Sequence, residues 1–101
     1  MNKLNRDSVI KLNRDEMIKW LEHYIEKVRT TEEFSENIKG GIWVSGEHGY
    51  EYQGKEIYSY YGEDYSNRSL GVLNSWEDEL EARGWYSEWY DAGTVMIFKD
   101  Y

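Results

Sequence analysis

The sequence contains no cysteine, so it can form neither a disulfide framework nor a thiolate metal site, which suits a reducing cytoplasm. No apolar run approaches the roughly 20 residues that span a bilayer, and the start of the chain lacks the apolar core of a secretion signal. There are two histidines and no H-E-x-x-H motif, which disfavours a transition-metal site. We therefore predict a cytoplasmic protein that holds no metal and no cofactor and does not bind membranes.

The net negative charge of the chain lies in its C-terminal part. Its 101 residues carry a formal net charge of −8, from 12 basic and 20 acidic side chains. Eight of each lie in residues 1–39, so residues 40–101 hold the remaining four basic and twelve acidic residues. Such a field repels the phosphates of nucleic acids and anionic lipids, and it attracts basic protein surfaces. A chain of this length predicts a single domain over residues 1–101, with residues 1–7 the part that could be disordered.

An eight-residue pattern occurs twice near the start of the chain. Residues 3–10 read KLNRDSVI, and residues 11–18 read KLNRDEMI. A period of eight places the two copies about 80° apart on a helix, so they could not share one buried face. Solenoid repeats also need units of about 20 residues or more. We interpret the pattern as a local coincidence or a small duplication rather than as an architecture.

Two helices are predicted from capping patterns and apolar spacing. Asn13 and Glu16 form an N-x-x-E capping pattern, and apolar residues at helical spacing after it predict a helix over residues 14–29. A second capping pattern begins at Asn74 and predicts a helix that stops before Gly84, a natural left-handed position.

Between and after these helices the apolar period changes to two. Residues 42–45, 50–53 and 56–61 predict a three-stranded meander with tight glycine turns, and residues 85–90 and 94–99 predict a final hairpin. Because a lone hairpin is marginal in water, we expect these pieces to join in one sheet. The predicted fold class is α+β: an antiparallel sheet of about five strands with two helices packed on one face, in the order helix, meander, helix, hairpin.

The remaining stretches are less regular. Residues 30–39 are predicted to be a polar linker with Phe34 and Ile38 as anchors, and residues 62–69 a loop, while residues 70–73 fit either a strand or a helix. The predicted core consists of Met17, Leu21, Tyr24, Ile25, Val28, Ile42, Val44, Ile57, Leu73, Trp76, Leu80, Val95 and Ile97.

His48 is the main candidate for acid–base chemistry. It lies beside Glu47 in SGEHGY, where a histidine on a turn could act as a general base. Polar residues are common in turns, however, and no nucleophile is identifiable nearby. The carboxylates of residues 77–81 run round a helix instead of converging, which is typical of a solvated face. We predict no catalytic residue and a protein that is not an enzyme.

Tyrosines and carboxylates are interleaved between residues 47 and 65. In the predicted strand over residues 56–61, alternation places Glu56, Tyr58 and Tyr60 on the face opposite Ile57. If the Ile57 face packs on the helices, these three side chains stay outside, and tyrosine is a favoured interface residue. Cross-strand tyrosine pairs also stabilise sheets without binding anything, so both interpretations stay open. The predicted partner-binding residues are Glu47, Tyr50, Glu51, Tyr52, Glu56, Tyr58, Tyr60, Glu63, Asp64 and Tyr65.

Two classes of function fit these features. The first is a binding or inhibitor protein that docks on a basic protein surface, with carboxylates in the place of phosphates and tyrosines where bases pack. A DNA mimic carried by a phage or mobile element against a host defence nuclease, or an immunity protein for a nuclease toxin, has this size and charge. The second is a small homodimeric structural or accessory subunit that uses the aromatic face as its dimer seam. Salt-sensitive association with a basic partner would favour the first class.

Overall fold

The computed structural model describes residues 10–61 and 67–101. Within these ranges the chain forms three helices, one antiparallel four-stranded sheet and two small hairpins, which confirms the α+β class. The helices are α1 (Arg14–Leu21), α2 (Thr31–Phe34) and α3 (Asn74–Glu81). The strands are β1 (Arg29–Thr30), β2 (Ile42–Ser45), β3 (Glu51–Tyr52), β4 (Lys55–Glu56), β5 (Arg68–Ser69), β6 (Val72–Leu73), β7 (Trp85–Asp91) and β8 (Thr94–Lys99).

The main sheet joins strands that are far apart in the chain. Its order is β1-β2-β8-β7, and all neighbours are antiparallel. β2 pairs with β8 so that Ile42 lies opposite Ile97 and Val44 lies opposite Val95, and all four side chains are fully buried. The predicted meander starting at residue 42 is therefore wrong in its first pairing. β2 pairs with β8 instead of β3 because its two inward residues meet those of β8 over the same core.

The other two predicted meander strands do form a hairpin, which lies outside the main sheet. β3 and β4 are joined by Gln53 and Gly54, both at positive φ (52° and 80°). β5 and β6 are joined in the same way by Leu70 and Gly71, at φ 52° and 77°. Two successive residues at positive φ define the type I′ turn that suits a two-residue hairpin. The stretch 70–73 is thus a turn followed by β6.

The two hairpins are connected to each other. An isolated bridge pairs Tyr58 with Val72, and the Leu73 N–H donates to the Ile57 carbonyl at 2.9 Å. The chain beyond β4 has therefore exchanged β3 for β6 as its partner. The hairpins together form a small layer beside the main sheet.

α1 begins as predicted and ends earlier than predicted. The Asn13 Oδ1 accepts the N–H of Glu16 at 2.9 Å, and the Glu16 carboxylate accepts the N–H of Asn13 at 3.0 Å, which completes a capping box. The helix ends at Leu21 and not at residue 29. Ile25 is nevertheless fully buried from the turn that follows. The apolar spacing correctly indicated inward side chains, although the backbone that carries them is no longer helical.

α3 starts differently from its predicted cap. Asn74 is the first helical residue, and the N-cap position is held by Leu73, which makes no capping hydrogen bond. The Asn74 Oδ1 accepts a hydrogen bond from the Ser69 hydroxyl at 2.6 Å, so it ties the helix start to β5. Gly84 lies at φ 83°, as a left-handed stop requires.

The predicted linker over residues 30–39 contains α2 and is fastened to α1. The Glu32 carboxylate accepts hydrogen bonds from the Gly40 N–H at 3.0 Å and from Arg14 at 2.7 Å. These contacts, led by the Gly40 N–H, lower the pKa of Glu32 to about 2. The Phe34 ring contacts Trp43 on the sheet face that points away from the main core.

The core lies between the main sheet, α1, α3 and the two hairpins. Eleven of the thirteen predicted core residues are buried; Tyr24 is 37% exposed and Val28 is half-buried against the core. Buried residues that the prediction missed are Tyr52, Tyr58, Val72, Trp85 and Met96.

Candidate binding surface

The predicted partner-binding residues divide into buried and exposed groups. Tyr52 and Tyr58 are only 7% and 3% exposed, so their predicted place on an outer face is wrong. The small layer that carries them packs against α3 and β7, so Ile57 and Tyr58 are both buried although they point to opposite sides of the chain. Glu63, Asp64 and Tyr65 lie outside the described residues.

The Tyr58 hydroxyl joins three parts of the fold. It accepts a hydrogen bond from the Trp76 indole Nε1 at 2.9 Å and lies 2.8 Å from the Ser87 Oγ. Burial raises the pKa of Tyr58. This side chain therefore connects the small layer to α3 and to β7, and its role is structural.

Tyr52 has a similar position. Its hydroxyl donates to the Glu79 carboxylate at 2.7 Å, and Arg83 donates to the other oxygen of the same carboxylate at 2.9 Å. The hydrogen bond to Glu79 raises the pKa of Tyr52 to about 12 and lowers the pKa of Glu79. The Tyr52 ring packs edge-on against Trp76 and Tyr24.

The exposed members, together with the half-buried Tyr50, form what we call the hairpin surface, which also includes one tyrosine that was not predicted. Tyr60 is 49% exposed and Tyr61 is 81% exposed, with their ring centroids 5.1 Å apart. Beside them lies a recess of about 250 Å³ to which Glu47 and Glu56 contribute. The hairpin surface consists of Glu47, Tyr50, Glu51, Glu56, Tyr60 and Tyr61.

Two pairs of neighbouring side chains on the hairpin surface are relevant to binding. Glu51 and Glu56 are directly opposite each other on β3 and β4, and both are exposed. Like charges in that position destabilise a strand pair. A basic partner placed over them would relieve this repulsion. Tyr50 is half-buried and stacks on His48, with ring centroids 4.5 Å apart.

A larger groove, which we call the edge groove, runs beside β7. Its volume is about 830 Å³. The successive residues Ser87, Glu88 and Trp89 all line this groove. Because successive side chains of a strand point to opposite faces of the sheet, we infer that the backbone edge of β7 forms one wall of the groove. None of the described residues that line the groove is basic. They are Ser69, Leu70, Val72, Asn74, Glu77, Asp78, Glu81, Ser87, Glu88 and Trp89.

Glu77 is the most deeply placed acid of the edge groove. Its Oε2 accepts the N–H of Ser87 at 2.9 Å, while its Oε1 is covered and has no hydrogen-bond partner within residues 10–61 and 67–101. Burial raises the pKa of Glu77. A carboxylate with one unsatisfied, desolvated oxygen is an unfavourable feature in a folded protein.

Trp89 connects the two surfaces. Its ring lies edge-on to Tyr60 with centroids 5.1 Å apart, and its indole Nε1 donates to the Leu70 carbonyl at 2.7 Å. Leu70 is 92% exposed. The hairpin surface and the edge groove therefore meet at one tryptophan, with an exposed leucine at their border.

Sequence reasoning missed the edge groove. Glu77, Asp78 and Glu81 were predicted to belong to a solvated helix face, and this holds for Glu81, which is exposed. Glu77 instead turns towards β7. The available signal was the pair Leu70-Gly71, since a leucine before a glycine in a tight turn would leave a large apolar side chain in solvent.

His48 and two other features bear on the predictions made for other kinds of site. His48 is exposed and stacks on Tyr50. Among residues 10–61 and 67–101, no three histidine or acidic side chains converge as metal ligands would. Within the same ranges, none of the helices has the length and apolar character that a bilayer crossing needs.

Comparisons with protein-family models, with curated proteins and with solved structures find no match for this chain. The functional proposal below therefore rests on the residues and their geometry.

Proposed function

We propose that this chain is a non-enzymatic, cytoplasmic binding protein that presents an acidic and aromatic surface to a basic protein partner. The observation that carries the proposal is the meeting of the hairpin surface and the edge groove at Trp89. Both recesses are lined by carboxylates, and no lysine or arginine lines either of them in the described residues.

The physics of such a surface favours a partner that normally binds nucleic acid. Clustered carboxylates attract a basic surface over long range and speed association, with a strong dependence on salt. The exposed rings of Tyr60 and Tyr61 offer stacking area of the kind that bases offer to a nucleic-acid enzyme. A host defence nuclease or a nuclease toxin is accordingly the class of partner that we propose, with this chain as its inhibitor or immunity protein.

The test compares two double variants with the same net charge. Glu51→Gln with Glu56→Gln removes two charges from the hairpin surface, and Glu22→Gln with Glu26→Gln removes two exposed charges from the region around the end of α1. Each changes the net charge from −8 to −6. The immobilised proteins are incubated with lysate of the native host at low and at high salt, and captured proteins are identified by mass spectrometry and then purified.

The proposal predicts capture of a basic protein at low salt, weaker capture by the hairpin-surface variant, and unchanged capture by the α1 variant. If the captured protein is a nuclease, its DNA substrate should compete with this chain for binding. Capture of no basic protein at either salt concentration contradicts the proposal. Equal loss of capture by both variants contradicts it as well, because net charge alone would then explain binding.

A second candidate function is a small homodimeric subunit, favoured by an aromatic cluster on the sheet face that points away from the core. The Phe34 ring contacts Trp43 and Tyr90 with centroids 5.3 Å and 4.9 Å away, and Tyr90 is 54% exposed. The Trp43 indole Nε1 is covered and has no partner among the described residues. A dimer seam on this face predicts a mass that rises with concentration in sedimentation velocity. A strict monomer at high micromolar concentration rejects this candidate.

A further inference from the structure

We infer that the edge groove is the docking site for an extended, arginine-bearing segment of the partner protein. This inference rests on the proposed function and names the part of the partner that this chain recognises.

The shape of the groove indicates an extended occupant. β7 is an outer strand of the main sheet and is seven residues long. Its backbone edge forms a wall of the groove, as the lining by Ser87, Glu88 and Trp89 shows. The Ser87 N–H on this edge is already bonded to Glu77, so an extended segment would add to the edge through other backbone groups of β7, which is a common mode of peptide recognition.

The charge of the groove indicates a cationic occupant. Glu81 and Glu88, which line it, are exposed, and Asp78, which also lines it, is half-buried. Arginine fits better than lysine, because its planar guanidinium can donate to two carboxylates at once. Arginine is also more weakly hydrated than lysine, so it loses less on entering a partly covered groove.

The half-buried Glu77 of the groove supports the same occupant. The covered oxygen of Glu77 has no hydrogen-bond partner among the described residues, so a cation entering the groove acts on it through a medium of lower dielectric constant than water. That interaction favours the charged form of Glu77. Docking should therefore be accompanied by a fall in the pKa of this carboxyl, which gives a readout separate from affinity.

Apolar contacts indicate what lies next to the arginine. Leu70 is 92% exposed and sits at φ 52°, a left-handed conformation that disfavours a leucine. Folding alone gives no reason for a large apolar side chain at that position. Together with the Trp89 ring, Leu70 provides an apolar wall for a valine-like neighbour of the arginine. A role limited to protecting the β7 edge with charges would need neither of these contacts.

The experiment uses the full chain and the peptide acetyl-Val-Arg-Val-Arg-Val-amide as the probe. Binding is followed by the indole N–H resonance of Trp89 in ¹H–¹⁵N spectra, assigned with Trp89→Phe. We expect this resonance to shift, and we expect Glu81→Gln with Glu88→Gln to weaken binding about tenfold, since each of these two charges contributes roughly threefold. The α1 control, Glu22→Gln with Glu26→Gln, should change affinity less than about twofold. The lysine version of the peptide should bind more weakly than the arginine version.

Two results overturn the inference. One is a Trp89 resonance that does not move while the peptide binds elsewhere or fails to bind. The other is equal weakening by the groove variant and the α1 control. The captured partner separates this inference from the proposed function: if it responds to the hairpin-surface variant and ignores the groove variant, the proposed function stands and the groove inference falls.

Discussion

Replacing Tyr58 by phenylalanine removes a single oxygen atom that lies between the small layer, α3 and β7. The side chain is 3% exposed, and its hydroxyl accepts the Trp76 indole N–H at 2.9 Å and lies 2.8 Å from the Ser87 Oγ. In Tyr58→Phe the indole N–H has no acceptor and cannot reach water. We expect the variant to fold with a lower free energy of unfolding.

The size of this loss in unfolding free energy follows from the Trp76 indole N–H and the Ser87 hydroxyl, which both lose the Tyr58 hydroxyl as a partner. A neutral hydrogen bond contributes about 1 kcal/mol, and a buried donor left without an acceptor costs about 1–3 kcal/mol. Ser87 is half-buried and can turn towards solvent, so its share is small. The expected loss is about 2–3 kcal/mol, which for a domain of this size lowers Tm by roughly 8–24 °C.

Urea unfolding measures this loss as a lower midpoint with an unchanged slope. The matched control is Tyr61→Phe, which removes the same atom from a ring that is 81% exposed and should change stability by less than about 0.5 kcal/mol. If the two variants have the same midpoint, the Tyr58 hydroxyl is not enclosed as described, and the reasoning fails. Folded Tyr58→Phe should also bind the partner normally, because the hydroxyl that it loses is bonded to Trp76 and Ser87 inside the fold and the ring is only 3% exposed.

Three further predictions concern single side chains. Glu77→Gln should gain stability relative to the natural chain as the pH rises through and above 4.5, the ordinary carboxyl pKa, because burial raises the pKa of Glu77 and the ionised form is disfavoured only in the folded state. Urea midpoints of the two proteins that stay parallel as the pH rises contradict it. Glu32→Gln should remove an acid-sensitive component of stability: with a folded pKa of about 2 against an ordinary 4.5, this stability is present above pH 4.5 and lost as the pH falls towards 2. Acid unfolding followed by circular dichroism measures it, and an acid midpoint that does not move rejects it. Asn13→Ala removes the capping box of α1 and should cost about 1 kcal/mol in urea unfolding, whereas no loss would mean that the box contributes nothing.

Features that depend on neighbouring residues were predictable from the sequence. The cap at Asn13, the left-handed stop at Gly84 and the final hairpin each depend on positions only a few residues apart. The partner of β2 was not predictable in this way. A period of two indicates which side chains face the core, but Ile42 could satisfy it beside any strand with an apolar inner face, and Ile97 is more than fifty positions away.

The end of α1 could not be read from the sequence either. Apolar spacing indicates which side chains point inward, and Ile25 satisfies it whether or not the backbone is helical. No glycine or proline marks the break after Leu21. The chain leaves the helix because Arg29 has to reach Trp43 and start β1, and that is a tertiary requirement.

The positions of the tyrosines after β4 could be predicted only in part, for a related reason. Alternation placed Glu56, Tyr58 and Tyr60 on one outer face, and this holds for Glu56 and Tyr60, which are exposed, but not for Tyr58, which is buried. It could not show that the chain changes its strand partner after Glu56. At that point α3 and β7 cover the face, so Tyr58 is enclosed while its neighbours in the pattern remain outside.

Three unfavourable features lie on the proposed surface and support a function for it, while the other covered polar atom without a partner among the described residues, the Trp43 Nε1, lies on the opposite face of the sheet. Glu77 holds an unsatisfied covered oxygen, Glu51 faces Glu56 across a strand pair, and Leu70 is exposed in a left-handed conformation. Glu32, nearer the start of the chain, contrasts with these because it is bonded to Arg14 and to the backbone. Natural sequences depart from local rules mainly at functional sites. A basic, partly apolar segment bound in the edge groove would bring a cation near Glu77 and apolar contacts to Leu70. If such unfavourable features were merely tolerated at random positions, one bound segment would not relieve both.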